Sequence, residues 1–177
     1  MPNGVFNVPY PENEPVQGYA PGSPEKAELE AAYFEMRNSI TDVPMYIGGK
    51  EITTKNKLPL SSPHDHAHVI GYGNMGDASH VQDAIDAALA AKDKWANLSW
   101  EHRASIFLKA AELLAGPFRA RMNAATMLAQ SKNAMQAEID ASCELIDFFR
   151  FNAAFMQQIY TDQPESAPGI WNRLEYR

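Results

Sequence analysis

The feature that most limits the possible folds is the segment from Ala134 to Tyr160, which is predicted to be one long helix with apolar side chains on most of its faces. Two rows of apolar residues run along it, namely Leu145, Phe148, Phe155 and Ile159 in one row, and Met135, Ile139, Ile146, Phe149 and Met156 in the other. A helix of this kind is buried inside a larger structure. We therefore expect a mostly helical chain that, taken alone, exposes apolar surface.

Further helices and a few short strands are predicted before this segment. Helix starts are expected at Ser23 with Pro24 behind it, at Asp77 or Ser79, at Ser99 and at Pro117. The corresponding helices should end near residues 39, 95, 116 and 130. The run "MYIGGKEI" is typical of a hairpin that turns at Gly48 and Gly49, and "HVIGYG" at 68–73 is typical of a strand.

The two ends of the chain are predicted to be extended. Residues 1–22 hold five of the twelve prolines and show no periodic pattern, which indicates an arm that lies over another part of the molecule. Residues 170–176 alternate as a strand does, and the chain stops at Arg177. Because a strand without a successor leaves an unpaired edge, we interpret the sequence as the front part of a longer polypeptide.

The overall charge and composition argue against several classes of protein. The formal net charge is −7, which argues against a general nucleic-acid binder and against a protein that binds to an anionic membrane surface. No apolar run approaches the roughly 18 residues that a transmembrane helix needs, and the N-terminus does not resemble a secretory signal. A single cysteine excludes an internal disulfide. We expect a reduced, soluble, cytoplasmic protein.

One possible metal site is the run "HDHAH", in which His64, His66 and His68 would share one face of a strand. The alternative is a polar loop that leads into the next strand, because no cysteine lies near and Asp65 would point to the opposite face. The sequence contains neither G-x-G-x-x-G nor the P-loop pattern, so the usual phosphate-binding loops are absent from it.

A possible nucleophile and base stand side by side at Cys143 and Glu144. Neighbouring residues of a helix point about 100° apart, so these two side chains should not face each other. Glu144 also belongs to an acidic stripe with Asp140 and Asp147, which we expect to be solvated. Glu144 is different because Phe148 lies one turn further on, and a carboxylate beside an aromatic surface either borders a cavity or is paired.

Five stretches together carry a family resemblance, namely "MYIGGKEI", "SSPHDHAHVIGYG", "AIDAALAAKDKW", "RASIFLKAAELLAGP" and above all "QAEIDASCELIDFFRFNA". They resemble the aldehyde dehydrogenase superfamily, and most closely its Δ1-pyrroline-5-carboxylate dehydrogenases, also called L-glutamate γ-semialdehyde dehydrogenases. The resemblance covers about residues 15–177 and the first third of such an enzyme. It implies an α/β fold of which this portion is mostly helical.

The resemblance also implies a division of the chain and a function. Residues 1–22 would be an N-terminal arm, 23–160 the N-terminal helical part of the NAD-binding domain, and 161–177 the start of an oligomerisation hairpin, so the protein would be a homo-oligomer. Such enzymes use NAD and a cysteine nucleophile to oxidise L-glutamate γ-semialdehyde to glutamate. Their catalytic and cofactor-binding residues follow the point where this chain ends, so the chain alone should be inactive and should not bind NAD.

The resemblance transfers only a few site residues to this sequence. The glutamate before "LIDFFRF" borders the substrate in the family, which assigns that role to Glu144 with Phe148 beside it. Small residues are usual at the position of Cys143, so this cysteine is expected to be a packing residue. Two rival interpretations stay open, namely a stand-alone helical interaction module without catalysis and a metal-binding protein that uses the histidine run.

Overall fold

The structure is a computed structural model, and it describes residues 4–176. The helices are α1 (Pro24–Arg37), α2 (Ala78–Ala96), α3 (Trp100–Ala115), α4 (Arg119–Gln130), α5 (Ala134–Ala137) and α6 (Glu144–Thr161), with a π-helical segment (Glu138–Cys143) between the last two. The strands are β1 (Thr41–Val43), β2 (Met45–Ile47), β3 (Lys50–Ile52), β4 (Lys57–Ser62) and β5 (Asp65–Asn74). The predicted mixture of long helices with a few short strands is confirmed.

Side-chain caps explain where α1, α2 and α3 begin, and the Ser99 hydroxyl caps α3 by accepting from the His102 N–H. The Ser23 hydroxyl accepts a hydrogen bond from the Lys26 N–H, and Pro24 occupies the first turn of α1, as predicted. Asp77 caps α2 by accepting from two backbone N–H groups, so Asp77 is the cap and Ser79 lies inside the helix. The start of α4 lies at Arg119, two residues later than predicted.

The predicted continuous helix over 134–160 is interrupted. Six residues, Glu138–Cys143, adopt a π-helix, in which the hydrogen bonds span five residues instead of four. Such a segment rotates the residues that follow it relative to an uninterrupted α-helix. The apolar row that was expected to include Ile139 and Ile146 is therefore broken, because Ile146 is fully buried whereas Ile139 is 41% exposed.

Two small sheets lie beside the helices. Strands β2 and β3 form the predicted hairpin, and Gly48 and Gly49 adopt the positive φ angles of its turn. Strand β5 is the centre of a three-stranded sheet, parallel to β1 and antiparallel to β4. It includes the predicted strand at 68–73, whereas β1 and β4 were not predicted. Proline explains part of this failure, because Pro59 inside β4 and Pro44 directly after β1 argue against a strand.

The core lies where α1 packs on α4 and α3 packs on α6. Small side chains dominate it, and its buried apolar residues are Leu29, Ala104, Ala111, Ala124, Leu128, Ala137, Cys143, Ile146 and Ala153. Helix α2 contributes no buried residue, and its apolar side chains Val81 and Leu89 are 60% and 63% exposed. Phe148 on α6 is also 60% exposed. The structure therefore agrees with the expectation of exposed apolar surface.

The predicted strand near the C-terminus is not paired with another strand among residues 4–176, and Arg177 lies outside the described residues. Its backbone is instead held by a side chain, because Gln163 accepts from the N–H of Leu174 (2.7 Å) and donates to its carbonyl oxygen (3.2 Å). The Tyr176 ring lies against Tyr160 with the centroids 5.2 Å apart. The role of 161–177 in oligomerisation stays a prediction.

We predict that Gly71→Ala disrupts the pairing of β1 with β5. A Cβ atom on Gly71 would overlap the carbonyl oxygen of Thr41, its partner in β1, so the two strands would have to separate. We expect the free energy of unfolding to fall by about 1–3 kcal/mol, which is usual for an overpacked site. Urea denaturation of the chain measures this, and Gly73→Ala is the control because its nearest neighbour, Leu60 Cδ2, is 3.8 Å away. Equal stability of the two variants would contradict the prediction.

Candidate active site

The N-terminal arm runs antiparallel along the last helix. The Val8 N–H donates to Gln157 Oε1 (2.6 Å), the Glu14 N–H donates to Asp147 Oδ1 (2.7 Å), and the Gln17 N–H donates to Glu138 Oε1 (2.8 Å). As the residue numbers along the arm increase from 8 to 17, those of their partners on the helix decrease from 157 to 138. Residues 8–17 of the arm thus lie over this helical segment, and residues 1–3 lie outside the described part.

Glu138 is the centre of a buried polar cluster beneath the arm. Its carboxylate has no exposed surface, and both oxygens accept several hydrogen bonds. Arg119 forms an ion pair with it, Tyr19 Oη donates over 2.6 Å, and Asn123 Nδ2 donates over 2.8 Å. Together with the Gln17 N–H, these groups supply the donors that a buried carboxylate needs.

These partners keep Glu138 ionised. Burial by itself would raise the pKa of Glu138, but the hydrogen bonds from Arg119, Tyr19, the Gln17 N–H and Asn123 outweigh it and lower the pKa from 4.5 to about 2. The same carboxylate has the opposite effect on its neighbour, because burial and the bond to Glu138 raise the pKa of Tyr19. Tyr19 is therefore a neutral donor at any physiological pH.

Charges of alternating sign continue from this cluster to the arm and to α6. Arg119 is 5% exposed and binds Glu14 as well as Glu138, and it donates to the Pro15 carbonyl oxygen over 2.8 Å. Glu14 in turn binds Arg150 on α6, with Nη1 and Oε2 2.6 Å apart. The charges of two arginines thus neutralise those of two carboxylates. Charged side chains with little exposure to water are tolerated when they are paired in this way.

Cys143 belongs to the packed interior. It is 5% exposed, its Sγ lies 3.6 Å from Glu138 Oε1, and burial together with the charge of Glu138 raises its pKa to about 11. A thiol with such a pKa stays protonated near neutral pH and is a poor nucleophile. Glu144 is exposed, which agrees with the expectation that these two side chains point in different directions.

Glu144 and Phe148 both line an open pocket of about 400 Å³ on α6. Its other lining residues are Asn13, Asp147, Phe151, Asn152 and Phe155. The same two residues also border a pocket of about 360 Å³ toward α4, so they form a ridge between two cavities. The structure thus brings together the two residues that were predicted to border a substrate, next to two further phenylalanine rings.

The prediction that the acidic stripe of Asp140 and Asp147 is solvated was only partly correct. Asp140 is half exposed and pairs with Lys132 over 2.8 Å, as expected of a surface carboxylate. Asp147 is not merely solvated, because its two oxygens accept hydrogen bonds from Asn13 Nδ2 and the Glu14 N–H, both over 2.7 Å. The arm supplies both donors, and the sequence pattern of one helix does not reveal contacts with a segment so far away.

The histidine run is not gathered into a metal site. His64 Nδ1 lies 2.7 Å from Ser131 Oγ, His68 Nε2 lies 2.8 Å from the Arg37 carbonyl oxygen, and His66 is exposed. No cluster of three or more histidine, cysteine or acidic side chains suited to a metal ion occurs within residues 4–176. Asp65 pairs with Arg37 instead.

Sequence reasoning missed the buried cluster entirely, since Glu138, Arg119, Tyr19 and Asn123 were not singled out. One signal was available. Glu138 lies in a helix predicted to be buried, and a buried carboxylate requires partners. The identity of those partners depends on the arm and on α4, whose positions no local pattern determines.

A sequence profile of the aldehyde dehydrogenase family matches residues 51–176, which is more than half of the chain. The chain belongs to the aldehyde dehydrogenase family. The expected α/β fold of this family is thereby confirmed. No helix among the described residues is both long and apolar enough to cross a membrane.

Relatives with the same printed name align with almost the whole chain. Delta-1-pyrroline-5-carboxylate dehydrogenase of Agaricus bisporus is 48% identical over 175 residues, which are 98% of this chain and 32% of that protein. The mitochondrial enzyme of Homo sapiens is 42% identical over 165 residues, which are 93% of this chain and 29% of that protein. The chain therefore spans about a third of the length of these relatives.

A solved structure has the same fold over the full chain. The Delta-pyrroline-5-carboxylate dehydrogenase of Mycobacterium tuberculosis, crystallised with NAD and cobalamin, superposes with a TM-score of 0.97 at 46% identity. The match covers 100% of this chain and 34% of that one. The arrangement of arm, helices and small sheets is thus that of the corresponding third of a larger enzyme.

We predict that Glu138 makes the free energy of unfolding of the chain depend on pH in the acidic range. Its pKa is about 2 when folded and 4.5 ordinarily, so the unfolded chain binds more protons between these values and stability falls as the pH falls. The loss should reach about 3 kcal/mol at pH 2 and be negligible above pH 6. Urea denaturation across this pH range measures it.

Glu138→Gln should flatten this part of the pH dependence, because the titrating group is gone. The variant should also be less stable at pH 7, by about 3–5 kcal/mol, since Arg119 loses a buried partner. Glu112→Gln is the matched control, because Glu112 is 69% exposed and its one partner within residues 4–176 is the exposed Lys109. The same acid dependence in wild type and Glu138→Gln would refute the assignment.

Proposed function

We propose that this chain is the N-terminal part of an NAD-dependent dehydrogenase that oxidises L-glutamate γ-semialdehyde, formed from 1-pyrroline-5-carboxylate, to L-glutamate in proline catabolism. The observation that carries the proposal is the 48% identity, over 98% of the chain, to a protein named for that activity. Identity of this extent is a property of the whole chain, not of one motif. The activity itself belongs to the complete polypeptide.

The geometry around Glu144 supports this substrate. The semialdehyde is a small amino acid that carries an ammonium group, a carboxylate and a reactive aldehyde. The pocket on α6 offers the Glu144 carboxylate as an acceptor and the exposed ring of Phe148 as an apolar wall. A pocket with an apolar wall and a few polar groups is the usual form of a small-molecule site.

We propose that this chain alone does not hold the cofactor, and the caps of α2 and α3 support this. Dinucleotide phosphates usually bind at free backbone N–H groups at a helix N-terminus. Here the Asp77 carboxylate already accepts the hydrogen bonds at the start of α2, and the Ser99 hydroxyl accepts one at the start of α3. We propose that NAD binds to the complete enzyme, to which residues 23–160 contribute helices of the NAD-binding domain.

We place the cysteine nucleophile in the two thirds of the enzyme that this chain does not span. Cys143 is the only cysteine here, and it is buried with a raised pKa. We further propose a cytoplasmic homo-oligomer in which residues 161–177 begin the interface hairpin. That segment offers a backbone without a strand partner among residues 4–176.

A second candidate is a stand-alone helical interaction module without catalysis. It is favoured by the apolar stripe of α2, where Val81, Ile85 and Leu89 are all exposed. The coding sequence after Arg177 separates the two. A stop codon there supports the module. A continuing frame supports the enzyme if it soon encodes an aromatic-Asn-aromatic segment, which in enzymes of the resembled family carries the asparagine of the oxyanion hole.

We predict that the 177-residue chain produces no NADH from L-glutamate γ-semialdehyde and NAD, while a polypeptide of the relatives' length that contains this sequence does. The reason is that the buried thiol of Cys143 cannot attack an aldehyde. NADH absorbance measures the reaction. Turnover by the short chain that Cys143→Ala abolishes would overturn the proposal, and inactivity of the long polypeptide would do so as well.

We predict that Glu144→Ala in the complete enzyme raises KM for the semialdehyde by about tenfold, which corresponds to the loss of one charged hydrogen bond. KM for NAD should stay the same, because Glu144 borders the substrate pocket. Asp140→Ala is the control, since Asp140 lies one turn earlier and pairs with Lys132. Steady-state kinetics with each substrate varied in turn provide the measurement, and equal constants for wild type and Glu144→Ala would disprove the role.

A further inference from the structure

Asn13 of the N-terminal arm lines the same pocket as Glu144 and Phe148, although it lies far from them in the sequence. The rest of the lining, Asp147, Phe151, Asn152 and Phe155, comes from α6. One wall of the candidate substrate site is therefore built by the arm. Neither the helix nor the arm forms this pocket by itself.

The side chain of Asn13 is held in a defined orientation. Its Nδ2 donates to Asp147 Oδ2, and the N–H of the next residue, Glu14, donates to Asp147 Oδ1, both over 2.7 Å. That bond uses one of the two N–H groups of Nδ2, and the acceptor that the amide offers to a ligand is Oδ1. No donor among residues 4–176 bonds to that oxygen.

The backbone next to Asn13 is also fixed. The Glu14 carboxylate binds Arg119 and Arg150 at once, and Arg119 donates to the Pro15 carbonyl oxygen. Glu14 is 10% exposed, so these ion pairs are partly shielded from water. Such charge-assisted bonds are stronger than neutral ones, so they hold the arm in one register.

The charge of the pocket suits a cation. Its lining contains two carboxylates, Glu144 and Asp147, and the Asn13 acceptor, and it contains no lysine or arginine. The nearest arginine of α6, Arg150, does not line the pocket and is bound to Glu14. Aromatic ring faces attract cations as well, and Phe148 is 60% exposed here.

We propose that Asn13 is a specificity-determining residue, whose Oδ1 receives, together with the Glu144 carboxylate, the ammonium group of an amino-aldehyde substrate. The pocket then selects aldehydes that carry an α-amino group over aldehydes of the same length without one. This inference rests on the proposed function and takes it further, because it assigns the recognition of one substrate group to the arm.

The test uses the complete enzyme and two aldehydes, L-glutamate γ-semialdehyde and glutarate semialdehyde, which differ only in the amino group. In Asn13→Leu the acceptor is lost while the number and branching of the side-chain heavy atoms stay the same. We expect the ratio of kcat/KM for the amino-aldehyde to that for the other aldehyde to fall about tenfold, mainly through KM. KM for NAD should not change. Asn13→Ala removes the same acceptor without added bulk and should lower the ratio in the same direction.

Asn7→Leu is the matched control. Asn7 also belongs to the arm, and its Oδ1 accepts from Gln157 Nε2 over 2.8 Å, but it does not line the pocket. It reports what a weaker attachment of the arm does by itself, so its ratio should equal that of the wild type. An equal fall in both variants would show that arm attachment matters and not the Asn13 amide, and would overturn the inference.

The remaining outcomes separate the inference from the function on which it rests. If the wild-type enzyme oxidises the semialdehyde and Asn13→Leu keeps the wild-type ratio, the inference alone fails. If the wild-type enzyme oxidises neither aldehyde, the proposed function fails and the inference fails with it. A wild-type enzyme that accepts both aldehydes equally well also overturns the inference, because no selection for the amino group then exists.

Discussion

The structure depends on the buried ion pair between Glu138 and Arg119. A carboxylate without any exposed surface is unfavourable by several kcal/mol unless hydrogen bonds fill its lone pairs. Here the donors come from two other parts of the chain, since Arg119 and Asn123 belong to α4, and Tyr19 and the Gln17 N–H belong to the arm. Satisfying one carboxylate therefore fixes the arm and α4 relative to the last helix. Removing the arm or α4 would leave a charge of this network uncompensated.

The π-helical segment connects this ion pair to the candidate site, because Glu138 is its first residue and Glu144 follows its last. It begins at Glu138 and ends at Cys143, so the residues that follow are rotated relative to an uninterrupted helix. Ser142 and Cys143 face the interior, where the Ser142 hydroxyl donates to Asn123 Oδ1 over 2.6 Å. Glu144 directly after them faces the pocket. The buried cysteine and the exposed carboxylate therefore point in different directions, although the two are neighbours in sequence.

Local features of the fold could be predicted from the sequence because their causes are local. Ser23 and Ser99 cap helices, and Gly48 with Gly49 permits a tight turn, wherever the rest of the chain lies. The direction of the Glu144 side chain relative to that of Cys143 follows from helical geometry alone. The role of Asp147 could not be predicted, because its partners belong to an arm with no periodic pattern. The π-helical segment could not be predicted either, because the contacts that accompany it join the arm, α4 and the last helix.

The kind of interaction that holds the arm also explains why it can form part of a site. Its apolar side chains contribute little, since Val5 and Tyr10 are 94% and 89% exposed and Phe6 is 46% exposed. Apolar contacts are not directional and would tolerate a shift of the arm along the helix. Hydrogen bonds and ion pairs require particular distances and angles, so a shift of one residue would break those of Glu14 and Gln17 together. A polar attachment therefore fixes the register, and a fixed register is what places Asn13 at the pocket.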